Sequence, residues 1–241
     1  GTHRQQRAAA QADKLACIRQ AIHEERLLLY CQPIVDLANT AVNRYELLVR
    51  MEGEPGTAPL LPRTFLSVAE RFGLVQSIDS WVIRRAIALL EHSRPGPSLT
   101  LHVNISAKSM SDPHFADITE AAMVGAAIEP GRLILELTET AAIGNLDEAT
   151  IFADRLRRAG CRFALDDFGA GFGAFSYLKY VPFDFLKIDG DFVRDLAAGS
   201  IDQLVVKALV GIAKDMGKKT VGEFVENAHV TRMLRESGVD Y

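Results

Sequence analysis

Two adjacent aspartates, Asp166 and Asp167, end a run of apolar residues and stand just before a glycine-rich segment. Other apolar runs end in a similar way: Glu46, Asn104, Glu136, Lys187 and Glu223 each sit toward the C-terminal end of a strand-like stretch. Carboxylates and an amide oxygen are the hard donors that Mg²⁺ and Mn²⁺ prefer. Two such ions about 3.5–4 Å apart activate a water and stabilise a departing oxygen. A lysine beside them can orient that water and offset charge on a phosphate, a role that suits Lys187. Taken singly, each residue has a plainer use. Glu46 fits a strand-edge charge, Asn104 a turn former, Glu136 a surface residue and Lys187 a solvated tip. Their joint placement within apolar stretches favours a site.

Neighbouring strand residues point to opposite faces, so for Asp166 and Asp167 to serve one centre the turn after them must swing one carboxylate back. The following segment, Phe168-Gly169-Ala170-Gly171-Phe172-Gly173-Ala174, matches a G-x-G-x-x-A dinucleotide pattern, and Asp189 falls near its expected acidic position. The match is a decoy, because Pro182 follows too soon for a crossover helix and two aspartates before the glycines would repel a pyrophosphate. A mobile, metal-linked loop suits the segment better. The six histidines form no zinc pattern. His102, one strand period before Asn104, reads as a packed or hydrogen-bonded side chain. No serine lies in a G-x-S-x-G elbow and no cysteine pairs recognisably with a histidine, so covalent catalysis has no support.

The elements that must position these groups alternate. Strand candidates at 28–36, 44–51, 99–106, 132–138, 162–167, 183–189 and 220–225 are mostly apolar throughout, as strands covered on both faces are. Helical patterns lie between them, at 78–92, 148–159, 203–216 and 228–236. Gly160 and Gly217 stand where left-handed C-caps are wanted. The first two strands are joined only through Ala38-Asn39-Thr40, too short for a parallel crossover, so they pair antiparallel. The expected fold is α/β: a TIM-like (β/α)8 barrel with one strand antiparallel and the last strand incomplete in the given chain. In such a barrel the C-terminal strand ends converge on one face.

The 241 residues suit one barrel, and a composition 48% hydrophobic and 24% charged is ample for a core. A net charge of −4 disfavours duplex nucleic acid as a partner. Three cysteines without metal-type spacing suggest free thiols in a reducing compartment, and no apolar run approaches a membrane span, so a cytoplasmic location is expected. No signal-peptide core follows the N-terminus. Leu15, Ile18 and Ile22 suggest a helix entering from a preceding region, with residues 1–14 a linker or tail and 15–241 the domain.

In order along the chain stand Tyr30-Cys31-Gln32-Pro33-Ile34-Val35-Asp36, Tyr45-Glu46-Leu47-Leu48-Val49-Arg50, Val103-Asn104-Ile105-Ser106, Glu136-Leu137-Thr138-Glu139, Asp166-Asp167-Phe168-Gly169, Leu186-Lys187-Ile188-Asp189 and Gly222-Glu223-Phe224-Val225-Glu226. With these motifs the sequence resembles the EAL-domain phosphodiesterases, which linearise cyclic di-GMP to pGpG. The resemblance implies Glu46, Asn104, Glu136, Asp166, Asp167 and Glu223 as ligands of two Mg²⁺ or Mn²⁺ ions, with Lys187 and Glu223 catalytic. It implies Glu139 as a brace for the loop after Asp167. Gln32, Arg50, Asp184 and Glu226 become substrate contacts, Arg50 on phosphate and the others toward guanine. An attached upstream regulatory domain and a homodimer, through the helix at 78–92, are further expectations. The sequence departs from the family pattern at three places. Leu47 replaces the alanine of Glu-Ala-Leu, Phe224 stands where glycine is usual, and Phe172-Gly173-Ala174-Phe175 replaces a more hydroxyl-rich loop. These departures motivate an alternative: a weak or inactive cyclic di-GMP receptor that signals through a partner or attached domain.

Overall fold

The computed structural model describes residues 2–53, 56–93, 99–126, 128–169, 175–197 and 199–241. Seven strands form one curled sheet in sequence order: β1 (Leu27–Val35), β2 (Val42–Met51), β3 (Thr100–Asn104), β4 (Leu133–Thr138), β5 (Arg162–Phe168), β6 (Phe185–Ile188) and β7 (Lys219–Gly222). β1 and β2 are antiparallel and every other neighbouring pair is parallel. The tight β1–β2 link is an Asx-type turn, in which Asp36 Oδ1 accepts from Ala38 N at 2.8 Å and Asn39 N at 3.2 Å. At the other edge, Tyr241 N donates to Thr220 O and Gly222 N donates to Tyr241 O, while Leu37 N donates to Asp240 O. Asp240 and Tyr241 thus run beside β7 and touch the segment leaving β1, which brings the sheet's two edges together as in a TIM-like barrel.

The helices cover the outer face. Val75–His92 buries Ile78, Trp81, Val82, Ile83, Ala86, Ile87 and Leu90, an apolar stripe at helical spacing. That stripe packs within the chain, while Leu89 is exposed on the outer side of the same helix. Leu146–Arg158 and Ser200–Asp215 are followed by Gly160 (φ 98°) and Gly217 (φ 69°), both left-handed. The first helix runs unbroken over Thr2–His23, so the division at residue 14 falls inside one element.

The sheet interior alternates with a period of two and forms layers. Ile34, Ile134, Ala164, Phe185 and Val221 make an apolar floor, with Tyr241 packed against it. The Arg44 guanidinium carbon lies 5.1 Å from the Phe185 ring centroid and 4.7 Å from that of Tyr241. One strand period toward the C-terminal ends the residues are Glu46, Glu136, Asp166, Lys187 and Glu223. β1 runs the other way, so its Gln32 pairs with Glu46 at this upper layer while Ile34 pairs with Arg44 at the floor. A charged storey thus rests on an apolar one.

Candidate active site

Lys187 is the centre of the charged layer. Its Nζ lies 2.7 Å from Glu136 Oε2, 2.9 Å from Asp166 Oδ1, 3.0 Å from Glu223 Oε1 and 3.3 Å from Glu46 Oε2, with the lysine side chain 1% exposed. Four carboxylates from four strands or strand ends therefore meet on one ammonium. Asn104, the last residue of β3, donates from Nδ2 to Glu46 Oε1 at 2.7 Å. Asp167 completes the set by an unusual route. Between Leu165 and Phe168 β5 carries one residue more than β6, a bulge in which Asp167 adopts a φ of 52°. The left-handed residue turns the second carboxylate back toward the first, so oxygens of Asp166, Asp167 and Glu223 all lie within 4.8 Å of one another. The reversal expected after the pair occurs within it.

Electrostatics show how unevenly the layer is balanced. Burial works to raise Glu136, but Lys187 and His102 outweigh it and hold the carboxyl at about 2. Burial also opposes charge on Lys187, yet Glu136, Asp166, Glu223 and Glu46 drive its pKa well above the usual lysine value. Asp166 and Glu223 go the other way. Burial, reinforced by neighbouring carboxylates and opposed by Lys187, pushes Asp166 up to about 6 and Glu223 up to about 8. Burial and the nearby Asp189 likewise raise Asp167. One lysine neutralises only part of five clustered acids. The donor set, hard oxygens with negative charge in excess, fits divalent cations.

Buried groups hold these side chains from behind. His102 Nδ1 donates to Glu136 Oε1 at 2.7 Å, and its ring packs edge-on against Phe185 at 5.6 Å, so it is both hydrogen-bonded and packed. Glu139, at the start of the helix Glu139–Gly144, accepts from Gly169 N at 2.9 Å and from Tyr177 Oη at 2.7 Å. The two bonds tie together the residues on either side of 170–174. Segment 170–174 lies outside the described residues, as does most of the altered loop 172–175. Asp79, within the helix Val75–His92, accepts at Oδ2 from Ser106 N at 3.0 Å and from Ser109 Oγ at 2.7 Å, just past Asn104. Sequence reasoning missed Asp79 and Tyr177. An acid inside an otherwise apolar helical stripe was the available signal for Asp79; nothing local marks Tyr177.

The remaining site expectations divide. Gln32, Glu46, Lys187, Glu223 and Phe224 line one cavity of about 520 Å³, which extends down between β1 and β7 past Ile34 and Leu37 to Tyr241. Arg50 shares the Glu46 face of β2 two periods toward its end, where its guanidinium carbon is 5.3 Å from the Tyr30 ring centroid. Glu226 is exposed in the loop after β7. Asp184 is a correction. It precedes β6 at the floor end, where Oδ2 accepts from Phe163 N at 3.0 Å and Oδ1 faces Arg157 at 3.4 Å. The structure does not bring it to the charged layer. β7 also stops at Gly222, so Glu223 leads a loop instead of sitting within a strand.

Known proteins share this fold. The chain is 38% identical over 226 residues to the cyclic di-GMP phosphodiesterase PdeB of Shewanella oneidensis, covering 93% of this chain and 26% of that protein. It is 34% identical to the cyclic di-GMP phosphodiesterase PdeF of Escherichia coli, covering 95% and 31%. It therefore spans less than a third of either relative. The crystal structure of the FimX EAL domain from Pseudomonas aeruginosa bound to c-di-GMP superposes with a TM-score of 0.88 at 30% identity, over 95% of this chain and 92% of that one. The MucR phosphodiesterase in complex with c-di-GMP gives 0.88 at 31%, over 95% and 93%. The family model of the EAL domain matches residues 16–241, and the chain belongs to that family.

Proposed function

We propose that this domain hydrolyses cyclic di-GMP to linear pGpG, using two divalent cations, Mg²⁺ or Mn²⁺, and a water as nucleophile. The observation that carries this reading is the ring of Glu46, Glu136, Asp166 and Glu223 around buried Lys187, at the strand ends of a fold shared with proteins named for that activity. Glu46, Asn104, Glu136, Asp166, Asp167 and Glu223 would hold the cations. Cations bound there supply a more acidic water and offset charge on the phosphodiester.

The chain's own residues do the rest. Lys187 keeps its proton and presents a fixed positive charge with three donors, which orients the water and stabilises negative charge as a P–O bond of the ring breaks. One water is consumed for each ring opened. Glu223 serves as the group that takes a proton from that water. Arg50, at the end of β2, offers a planar fork for phosphate. Gln32 and Glu226 offer amide and carboxylate groups to guanine edges. Glu139 holds the loop start beside Asp167 so that the ligand set keeps its shape. An attached upstream domain and a cytoplasmic location belong to the same reading; the relatives are longer than the matched segment.

The test is incubation of the purified protein with cyclic di-GMP and Mg²⁺ or Mn²⁺, with pGpG separated by chromatography. Product that depends on metal and disappears in Glu46→Ala is the expected result. Turnover unaffected by Glu46→Ala overturns it, and tight binding with no product after long incubation would make the domain a receptor.

A further inference from the structure

The turn that carries Glu223 out of β7 passes through Phe224, whose φ of 52° lies in the left-handed region. A bulky side chain is strained there, and such a conformation persists only when its surroundings hold it. The phenyl ring supplies the hold, although Phe224 remains 55% exposed. A Cβ added to Gly190 would fall 2.1 Å from Phe224 Cδ2 and 2.8 Å from Cγ and Cε2, so the ring lies directly on the Gly190 backbone. From the same short helix, Gly190–Arg194, the Arg194 guanidinium carbon stands 4.1 Å from the ring centroid, a cation–π contact. Arg194 is itself anchored to Asp191 at 2.6 Å.

That helix makes a second contact of the same kind in the other direction. A Cβ on Gly169, which follows the Asp166–Asp167 bulge, would fall 2.7 Å from Phe192 Cε2. Phe192 thus presses on the turn after Asp167, and Phe224 presses on the helix that carries Phe192. Two ring-on-glycine contacts join the backbone leaving Asp167 to the backbone leaving Glu223. Glycine at position 224 would adopt the same φ with no strain and leave the Phe224–Gly190 contact unmade.

We propose that Phe224 is a positioning residue for Glu223: through Gly190 and Arg194 it fixes the Glu223 carboxylate relative to Asp166 and Asp167, and thereby sets the affinity of the ring for divalent cations. This rests on the reading of that ring as the metal site. In this role Phe224 acts without contacting the substrate. Its influence passes through the backbone of one turn.

The test is calorimetric titration of Mn²⁺ into the protein after chelation and dialysis, with no cyclic di-GMP present. Phe224→Gly and Phe224→Asn both accept a left-handed backbone, so one keeps the experiment open if the other folds poorly. Each is expected to weaken Mn²⁺ binding about tenfold, in the range seen when groups behind metal ligands are removed. Phe224→Tyr restores affinity to within about twofold, and Arg194→Ala gives a smaller loss than either. Wild-type Mn²⁺ affinity in both Phe224→Gly and Phe224→Asn overturns the proposal. Glu223→Gln separates the two possible failures: Mn²⁺ binding that Glu223→Gln leaves untouched removes Glu223 from the metal site, and the role of Phe224 with it.

Discussion

Two strand ends in this barrel turn through a left-handed residue that is not glycine, Asp167 in the bulge near the end of β5 and Phe224 after β7, both with φ 52°. The means of holding them differ. At β5 the hold is polar: Asp167 N donates to Asp166 Oδ1 at 3.0 Å, and buried Glu139 accepts from Gly169 N two residues past Asp167. Aspartate also tolerates this region better than an aromatic residue does. At β7 the hold is apolar, a ring laid on Gly190 beneath Arg194. The β3 end repeats the polar device. Buried Asp79 accepts from Ser106 N, two residues past Asn104, as Glu139 does from Gly169 N, and each acid takes a second bond from a hydroxyl. A polar brace fixes a turn by direction, whereas an apolar brace fixes it by shape. Removing them should therefore give losses of different kinds.

The largest effect should come from the group that both ends share. Lys187 contacts Asp166 at the β5 end and Glu223 at the β7 end. Lys187→Met is expected to lower turnover by about 10²–10³-fold, the usual cost of one lost electrostatic donor. It also leaves the carboxylates facing one another, so the metal-free protein should lose about 3–5 kcal/mol of stability. Divalent cations should return part of that loss, because a ligand bound only to the folded state stabilises it by about 2.7 kcal/mol at 100 times its Kd. Denaturant melts of wild type and Lys187→Met, in chelator and in saturating Mn²⁺, check both statements. If Mn²⁺ stabilised neither protein relative to chelator, the charge argument would be wrong.

A second prediction concerns the polar brace at β5. Glu139→Ala frees Gly169 N and Tyr177 Oη together, and turnover should fall about 10–100-fold with a parallel rise in the Mn²⁺ needed for half-maximal rate. Tyr177→Phe removes one of the two bonds and keeps the ring, which packs near Phe168 at 6.4 Å, so its loss should be only a few-fold. Steady-state rates across a Mn²⁺ series distinguish them. Equal losses for the two variants would mean that Tyr177, and not the Gly169 amide, carries the brace.

These contrasts also show what a sequence discloses. Glu46, Glu136, Asp166, Lys187 and Glu223 were legible because each interrupts an apolar run at one strand period above a floor residue, so that composition and period agree. His102 was legible in part, since its spacing from Asn104 places it on the same face, while its bond to Glu136 depends on the β3–β4 register. Asp184 entered only through the family resemblance, and its place along the strand argued against it. Both the expected strand at 183–189 and the observed β6, which begins at Phe185, put it at the N-terminal end, away from Lys187. The bond between Glu139 and Tyr177, 38 residues apart, leaves no local trace. The Asp167 bulge left half a trace. Two adjacent acids on a strand demand some reversal, but only backbone geometry locates it.

The smallest expected effect tests whether the Asp79 brace works by charge or by direction. Burial raises the Asp79 pKa, more than its hydrogen bonds from Ser109 and Ser106 lower it. The folded protein therefore favours the protonated acid, and the contribution of Asp79 to stability declines as pH rises from its unfolded value through its folded one. Asp79→Ala leaves the Ser106 amide and the Ser109 hydroxyl without their acceptor and should cost about 1–3 kcal/mol. Asp79→Asn keeps an acceptor oxygen and carries no charge to bury. Its stability relative to wild type should rise as pH moves from about 4 toward neutrality, with Mn²⁺ affinity kept close to wild type. Denaturation curves at the two pH values decide the matter. A brace that acts by direction tolerates the loss of its charge; if Asp79→Asn is as damaging as Asp79→Ala at neutral pH, the carboxylate charge itself holds the turn after Asn104, and the likeness to Glu139 is one of position alone.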